Sequence, residues 1–359
     1  MSESRYRFAL ATASDDADLR ERMRRDWMRG SISVSFRREP SYFLGCGVQG
    51  EGTQVIQCRD TGTGQLMGMG SRTSRCCFVN GVIARMGHLA DLRAAPEARS
   101  GTLLARGYRF LRTLHEVSPL PLYTTVIFDG NEQARRSIAS GRAGLPAYRD
   151  QGLLLTPAIH LDFGKRALHC PGLTFQPAEP RHTAAIAAFL NQQRKHRQFA
   201  PVAGQLHGEF LLAIRQSRIV ACASVWDQSS FRQVHLEEYS PQLRRMRPFY
   251  NALTRVTPLK RLPDPGARVN CFYLSSLAVE DDDVEVAAAL VREVYRQRRR
   301  GKWSYFIAGM HERDPLVELL GSYRQIAAAG RLFVVHYEDG SGAFSQLDAR
   351  VPHIEVSTL

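Results

Sequence analysis

The chain has 359 residues and a hydrophobic fraction of 44%, enough for sizeable cores and a length that favours two domains or one large one. Its 48 Lys and Arg against 35 Asp and Glu give a formal net charge of +13, which suits an anionic partner and follows equally from an arginine-rich composition. No apolar run reaches ~18 residues, so no membrane span is expected; the first residues lack a signal-peptide core; and seven cysteines without a C-x-x-C pair read as reduced thiols of a cytoplasmic protein.

The first element is a strand, YRFALAT, from Tyr6. Ser14 and Asp15 then offer N-caps to an amphipathic helix, DADLRERMRRDWM, with Leu19, Met23 and Trp27 at helical spacing. A loop with Pro40 and several glycines follows. TQVIQCRD and QLMGMGSRTSR read as a hairpin around Thr61-Gly62-Thr63-Gly64. RMGHLADLRA is a strand, SGTLLARGYRFLRTLHE a helix, LYTTVIF a strand, NEQARRSIAS a helix and LLLTPAIHL a last strand.

After a mixed segment, DFGKRALHCPG over 162–172, the order begins again. LTFQPAEPRHTAAIAAFLNQQ is a strand and helix, and EFLLAIRQSRIVACASVWDQ a hairpin. VNCFYLSSLAVEDDDVEVAAALVREVYRQRRRG repeats the strand, loop and helix of 88–111, and WSYFIAGMHERDPLVELLGSY the strand and helix of 123–141. RLFVVHYED and HIEVSTL supply late strands. A weak repeat of this length means two copies of one domain.

The stretch from His88 to Tyr148 is the most informative. Its strand breaks at Pro96 into a loop with Arg99, Ser100, Gly101 and Thr102 that opens a helix, and free N–H groups at such a helix start suit a phosphate. On the strand, Leu89, Asp91 and Arg93 alternate onto one face and His88 onto the other. The corresponding loop of the second half has Glu280, Asp281, Asp282, Asp283 and Glu285, which repel a pyrophosphate and cap a helix well.

Together, HLADLRAAPEARSGTLLARGYRFL and FDGNEQARRSIASGRAGLPAY resemble the acyl-CoA-binding half of the GCN5-related N-acetyltransferases. The resemblance implies an α+β fold of two tandem domains, each a mixed, mostly antiparallel sheet flanked by helices. One copy spans 1–161 and binds CoA, 162–172 is a linker, and 173–359 is a degenerate copy. It also implies acetyl-CoA or another acyl-CoA as co-substrate, without a metal. Arg99, Ser100, Gly101 and Thr102 would grip the pyrophosphate, although Gly101 stands one place early and Leu104 takes the last small position. Backbone N–H groups of Leu92, Arg93 and Ala94 would meet the developing oxyanion. Asn131 and Ala134 would line the pantetheine. Asp91 is the candidate base. Ile138 stands where many relatives have an acidic tyrosine, and Tyr148 is the nearest substitute.

The activity so implied is transfer of an acyl group, most simply acetyl, from CoA to an amine of a small molecule or peptide. The alternative is a non-catalytic acyl-CoA-binding or interaction protein on the same scaffold. Nucleic acid as a partner rests on charge alone, since no basic motif interleaved with aromatics supports it.

Overall fold

The structure is a computed structural model that describes residues 5–98, 101–138, 141 and 144–359, with the backbone alone at Gly101 and Thr102. The first half contains strands β1 (Tyr6–Leu10), β2 (Ile32–Arg37), β3 (Glu51–Asp60), β4 (Leu66–Val79), β5 (Val82–Ala94), β6 (Tyr123–Phe128), β7 (Ala147–Leu155) and β8 (Ala158–His160). Its helices are α1 (Asp16–Arg25), α2 (Tyr42–Cys46), α3 (Gly101–Val117) and α4 (Glu132–Ile138). In the second half β9 (Thr174–Pro177), α5 (Thr183–Arg194), β10 (Glu209–Arg215), β11 (Arg218–Trp226), β12 (Gln233–Tyr239) and α6 (Pro241–Leu253) come first. Then follow β13 (Cys271–Val279), α7 (Val284–Arg298), β14 (Tyr305–Ile307), β15 (Met310–His311), β16 (Gln325–Ile326), β17 (Ala329–His336) and α8 (Ser341–Ser345).

The strands form an eight-stranded sheet in the order β1-β3-β4-β5-β6-β17-β7-β15 and a seven-stranded sheet in the order β16-β8-β14-β13-β11-β10-β9. Each sheet is largely antiparallel, with one parallel junction: β5 with β6 in the first and β13 with β14 in the second. The two halves exchange strands. β17, late in the chain, lies between β6 and β7, and β8, from the first half, lies between β14 and β16. A third sheet joins β2 of one half to β12 of the other.

Amphipathic helices cover the sheets. α3 packs Tyr108 and Leu111 onto Leu89, Tyr123 and Phe333. α7 buries Val286, Leu290, Val291 and Val294 against Leu211, Ala223 and Phe272. Between the halves a further core joins Cys77, Met86 and Leu122 to Phe199, Leu332, Val334 and Ile354. Full burial of one such Leu, Ile or Phe is worth about 1.5–3 kcal/mol.

Three local expectations change. The Pro40 loop holds β2 and α2, the latter capped by Ser41, whose Oγ accepts from the Phe43 N–H. Residues 317–322, expected as a helix, form only a 3-10 turn. HIEVSTL pairs with no sheet over 354–359 and ends in a 3-10 turn at Val356–Thr358.

Candidate functional site

The strand before the predicted phosphate loop has an irregular backbone. β5 pairs with β6 only at Gly87–Tyr123 and His88–Thr124, although β5 continues to Ala94 and β6 to Phe128. Beyond His88 the two strands part and leave a wedge-shaped opening. On its other edge β5 carries a bulge: Ala90 opposes Ser71 and Arg93 opposes Met69, so Asp91 and Leu92 together face Gly70. Asp91 has φ +54°, a left-handed conformation costly for a residue with Cβ.

Electrostatics holds Asp91 there. Its Oδ2 accepts from Arg38 Nη2 at 2.6 Å and from the Tyr42 hydroxyl at 2.8 Å. Arg38 is buried, lies over the Tyr42 ring at 4.6 Å and reaches Cys46 Sγ at 3.5 Å. Burial pushes the Asp91 carboxyl up, but Arg38, with Arg93 and the Tyr42 hydroxyl, outweighs it and holds the group below the usual range. Burial, opposed by Arg38, raises the Cys46 thiol to about 11. An ionised, doubly bonded carboxylate is a weak base, so Asp91 as placed is an anchor for the bulge.

The left-handed turn also breaks the alternation expected along this strand. Leu89 packs with α3, whereas His88 and Asp91 lie within electrostatic reach of each other. His88 is buried, its Nδ1 is 3.1 Å from Thr124 Oγ1, and burial, aided by Arg75, lowers its pKa to about 3. It is a neutral residue at the apex of the opening.

The remaining predicted residues fall in different places. Leu92 is 45% exposed, its side chain lying over Gly70 of β4. Arg93 Nη1 donates to the Leu92 carbonyl at 3.1 Å, while its Nε is buried without a hydrogen-bond partner among the described residues. Ala94 ends β5. Arg99 and Ser100 lie outside the described residues, and the backbone of Gly101 and Thr102 opens α3, as expected. Asn131 is the N-cap of α4: its Oδ1 accepts from the Ala134 N–H at 3.1 Å. Tyr148 is packed in the α3 core, hydrogen-bonded to the Tyr108 hydroxyl, and Ile138 is buried in the same cluster. Burial raises the Tyr148 hydroxyl well above its ordinary pKa. Among the described residues no group of three or more metal-ligating side chains occurs.

The second half repeats the backbone device. β13 pairs with β14 only over Cys271–Tyr273 and then parts from it. Ser275 opposes Ser224 and Ala278 opposes Cys222, leaving Ser276 and Leu277 as the bulge, and Ser276 has φ +51°. Ser276 thus corresponds to Asp91, and Tyr273 to His88. In place of Arg38, the buried Arg194 donates to Ser276 Oγ at 3.1 Å.

This second opening is filled. The segment 353–358 runs through it: Glu355 Oε2 accepts from the Ser276 N–H at 2.9 Å, and the Ser357 and Ser275 hydroxyls are 2.9 Å apart. Val356 presses on Gly309 so closely that a Cβ there would come within 1.9 Å of it. Arg194 lies 3.5 Å from Glu355, so the plug carries its own ion pair. The acidic loop caps α7 as read from the sequence, Asp283 Oδ1 accepting from the Glu285 and Val286 N–H groups at 3.0 and 3.1 Å. The chain end then reaches the first half, where Arg75 Nη1 donates to Thr358 Oγ1 at 2.8 Å, while Arg232 of the second half donates to the carbonyl oxygens of Ser357 and Leu359.

Solved acyltransferase structures share the overall fold of this chain. A GCN5-related N-acetyltransferase from Anabaena variabilis matches 92% of this chain and 72% of its own at TM-score 0.53 and 10% identity. The fold is that of the GCN5-related N-acetyltransferases. The Saccharomyces cerevisiae N-myristoyltransferase with bound myristoyl-CoA matches 93% of this chain and 80% of its own at TM-score 0.61 and 9% identity. A GCN5-related N-acetyltransferase from Sphaerobacter thermophilus is matched over 100% of both chains at TM-score 0.50 and 12% identity. No family model and no curated protein matches the sequence.

Sequence reasoning missed the bulge, the plug and the Arg38–Tyr42–Asp91 cluster. The one available signal was internal: LADLRA and YLSSLAVE occupy corresponding places, with Asp91 and Ser276 as the polar residues at the break.

Proposed function

We propose that the chain is an acyl-CoA-dependent N-acyltransferase whose first half holds the CoA. The observation that carries this reading is the difference between the two openings: the second is filled by residues 353–358, while the first lies on the strand that leads to the α3 helix start. An extended pantetheine arm fits between two parted strands, and its pyrophosphate fits the α3 N-terminus, with Arg99, Ser100, Gly101 and Thr102 as its grip. The proposed division is one CoA-binding unit, 1–161, and one degenerate unit, 173–359, each lending the other a strand.

The second half supports a choice of the amide that would meet the thioester carbonyl. There the bulge amide of Ser276 turns into the opening and binds a carboxylate oxygen of Glu355. By correspondence the Asp91 N–H turns into the first opening, next to the Leu92, Arg93 and Ala94 amides, where a carbonyl oxygen gaining negative charge is stabilised. The amine nitrogen attacks the carbonyl carbon, the C–S bond breaks and CoA leaves as thiolate. A thiolate with a pKa of ~8.5 leaves without a dedicated acid. The amine proton passes to solvent at the open end. Acetyl is the simplest acyl group, and a small-molecule or peptide amine the acceptor class.

A second reading, a non-catalytic acyl-CoA-binding protein, is favoured by the Asp91 carboxylate tied to Arg38 and by Ile138 and Tyr148 in the core. Calorimetry with acetyl-CoA, followed by free-thiol release across an amine panel, separates the two. Saturable binding that weakens on Arg99→Ala, with thiol release on at least one amine, is the expected result. Binding with no turnover of any amine assigns the second reading, and no binding at millimolar acetyl-CoA removes both.

A further inference from the structure

α6 is a thirteen-residue helix with no buried side chain. Tyr250, Asn251 and Leu243 turn partly toward the protein. On the opposite arc Met246 is 62% exposed, Phe249 69% and Leu253 37%, and Val256, in the turn that follows, is 82% exposed. Spacings of three and four place these four in one stripe along the outer face. Isolated exposed apolar side chains are ordinary, but an aligned row of four on a helix is not.

The stripe has basic borders. Arg245 and Arg255 are exposed beside it and have no acidic partner among the described residues. The turn after α6 leads to a second basic region, with Lys260 Nζ donating to the Arg299 carbonyl at 3.1 Å. There a depression of about 330 Å³ is lined by Gly164, Lys165, Arg296, Arg299 and Arg300. Of its four cations only Arg296 has a carboxylate partner among the described residues, Glu293 at 2.5 Å. Lys165 and Arg299 donate instead to the neutral carbonyls of Ser322 and Asp162, which leaves their charge uncompensated. Beside the depression Phe163 and Leu168 are 46% and 40% exposed. Arg324 ties the two regions together, bonding to Tyr250 of α6 at 3.2 Å and to Asp162 at 2.7 Å.

We propose that α6 and the adjoining basic depression form a docking face for an anionic lipid bilayer. Charge and apolarity together select this occupant. The stripe needs an apolar phase within reach of a helix lying flat, and the arginines at its edges need phosphates in the same plane. A bilayer with acidic headgroups offers both, the apolar face entering the headgroup–acyl boundary by about 5–10 Å. A nucleic acid would engage the cations and leave Met246 and Phe249 in water. The depression takes a phosphate group, the chemistry shared by lipid headgroups and free phosphate. This face is independent of the acyl-transfer reading.

The test is vesicle flotation of the full chain with phosphatidylcholine alone and with about one third phosphatidylserine. Partitioning onto the anionic vesicles is expected to be at least about tenfold stronger and to weaken with added salt. Met246→Glu with Phe249→Glu should reduce it by more than about tenfold, and Arg299→Glu with Arg300→Glu by about fivefold for each charge removed. Met246, Phe249 and Arg300 are exposed and Arg299 is half-buried, and unchanged thermal melting and acetyl-CoA binding serve as the folding control. Equal partitioning onto both vesicle types, no partitioning onto either, or full binding by the Met246/Phe249 variant overturns the proposal. Loss of binding on adding inorganic phosphate, without an effect of the apolar variant, assigns the depression to free phosphate. Oligonucleotide binding lost only in the arginine variant, without vesicle binding, assigns the face to nucleic acid. Either outcome also overturns it.

Discussion

The two halves bring the same backbone to the same point and then treat it differently. In each, a long strand parts from its parallel neighbour after two or three paired residues, and a left-handed residue follows three places later, Asp91 in one and Ser276 in the other. The first half holds its bulge with a charge pair; the second holds it with a hydroxyl and fills the wedge with its own chain. The fold therefore specifies the parting of the strands, and the two halves differ in what holds the bulge beside it.

That contrast can be broken at its strongest point first. Asp91→Ala removes the carboxylate from buried Arg38 and should cost about 3–5 kcal/mol by urea unfolding, whereas Ser276→Ala, which leaves Arg194 next to Glu355, should cost about 1 kcal/mol or less. Equal losses would mean that the two bulges are held alike. Next, Gly309→Ala places a methyl group against Val356 and should destabilise by about 1–3 kcal/mol. It should also speed hydrogen exchange at the Ser276 amide by loosening Glu355. No change in that amide would show the plug to be held from elsewhere.

Acid should act on the first half through His88, whose counterpart is Tyr273. With a folded pKa of about 3 against about 6.5 unfolded, His88 leaves stability unaffected above pH 6.5. Below it the unfolded chain takes a proton that the folded chain refuses. Stability then falls by about 1.4 kcal/mol per pH unit from this residue. His160, held at about 4 by burial and Arg324, adds to the slope in the same direction. His88→Gln should flatten the measured slope between pH 6 and 4 by up to one proton. The smallest effects come from the positions of the expected catalytic apparatus that are placed structurally. Asn131→Ala, which uncaps α4, and Tyr148→Phe, which removes the bond to Tyr108, should each cost about 1 kcal/mol. On the core placement of its ring, Tyr148→Phe should leave thiol release unchanged.

Much of the fold was legible because it is written locally. The Thr61–Gly64 hairpin, the α3 and α7 periodicities, the Asp283 cap and the repeated order of elements all lie within a few residues of their signals. What escaped depends on distant partners. Apolar alternation in AGRLFVVH marks a strand but not the sheet that takes it, so the exchange of β17 and β8 left no trace. The bulge at Asp91 turns on Arg38 and Tyr42, about fifty residues away, and periodicity alone placed Leu89 and Asp91 on one face. HIEVSTL has the composition of a strand but is held by side chains from four other segments. The Arg99–Thr102 turn was read from chemistry alone, a basic, small-residue turn before a helix, and Arg99 and Ser100 lie outside the described residues.

The exchanged strands set an order of assembly. Until residues 329–336 leave the ribosome, β6 and β7 have no strand between them, and the first sheet carries two unpaired edges around an incomplete core. Synthesis must therefore pass residue 336 before the first sheet can close, and a truncated product ending before β17 exposes strand edges that invite aggregation. Once closed, neither half can leave the other without tearing a ladder in each sheet, so the two should melt as one unit.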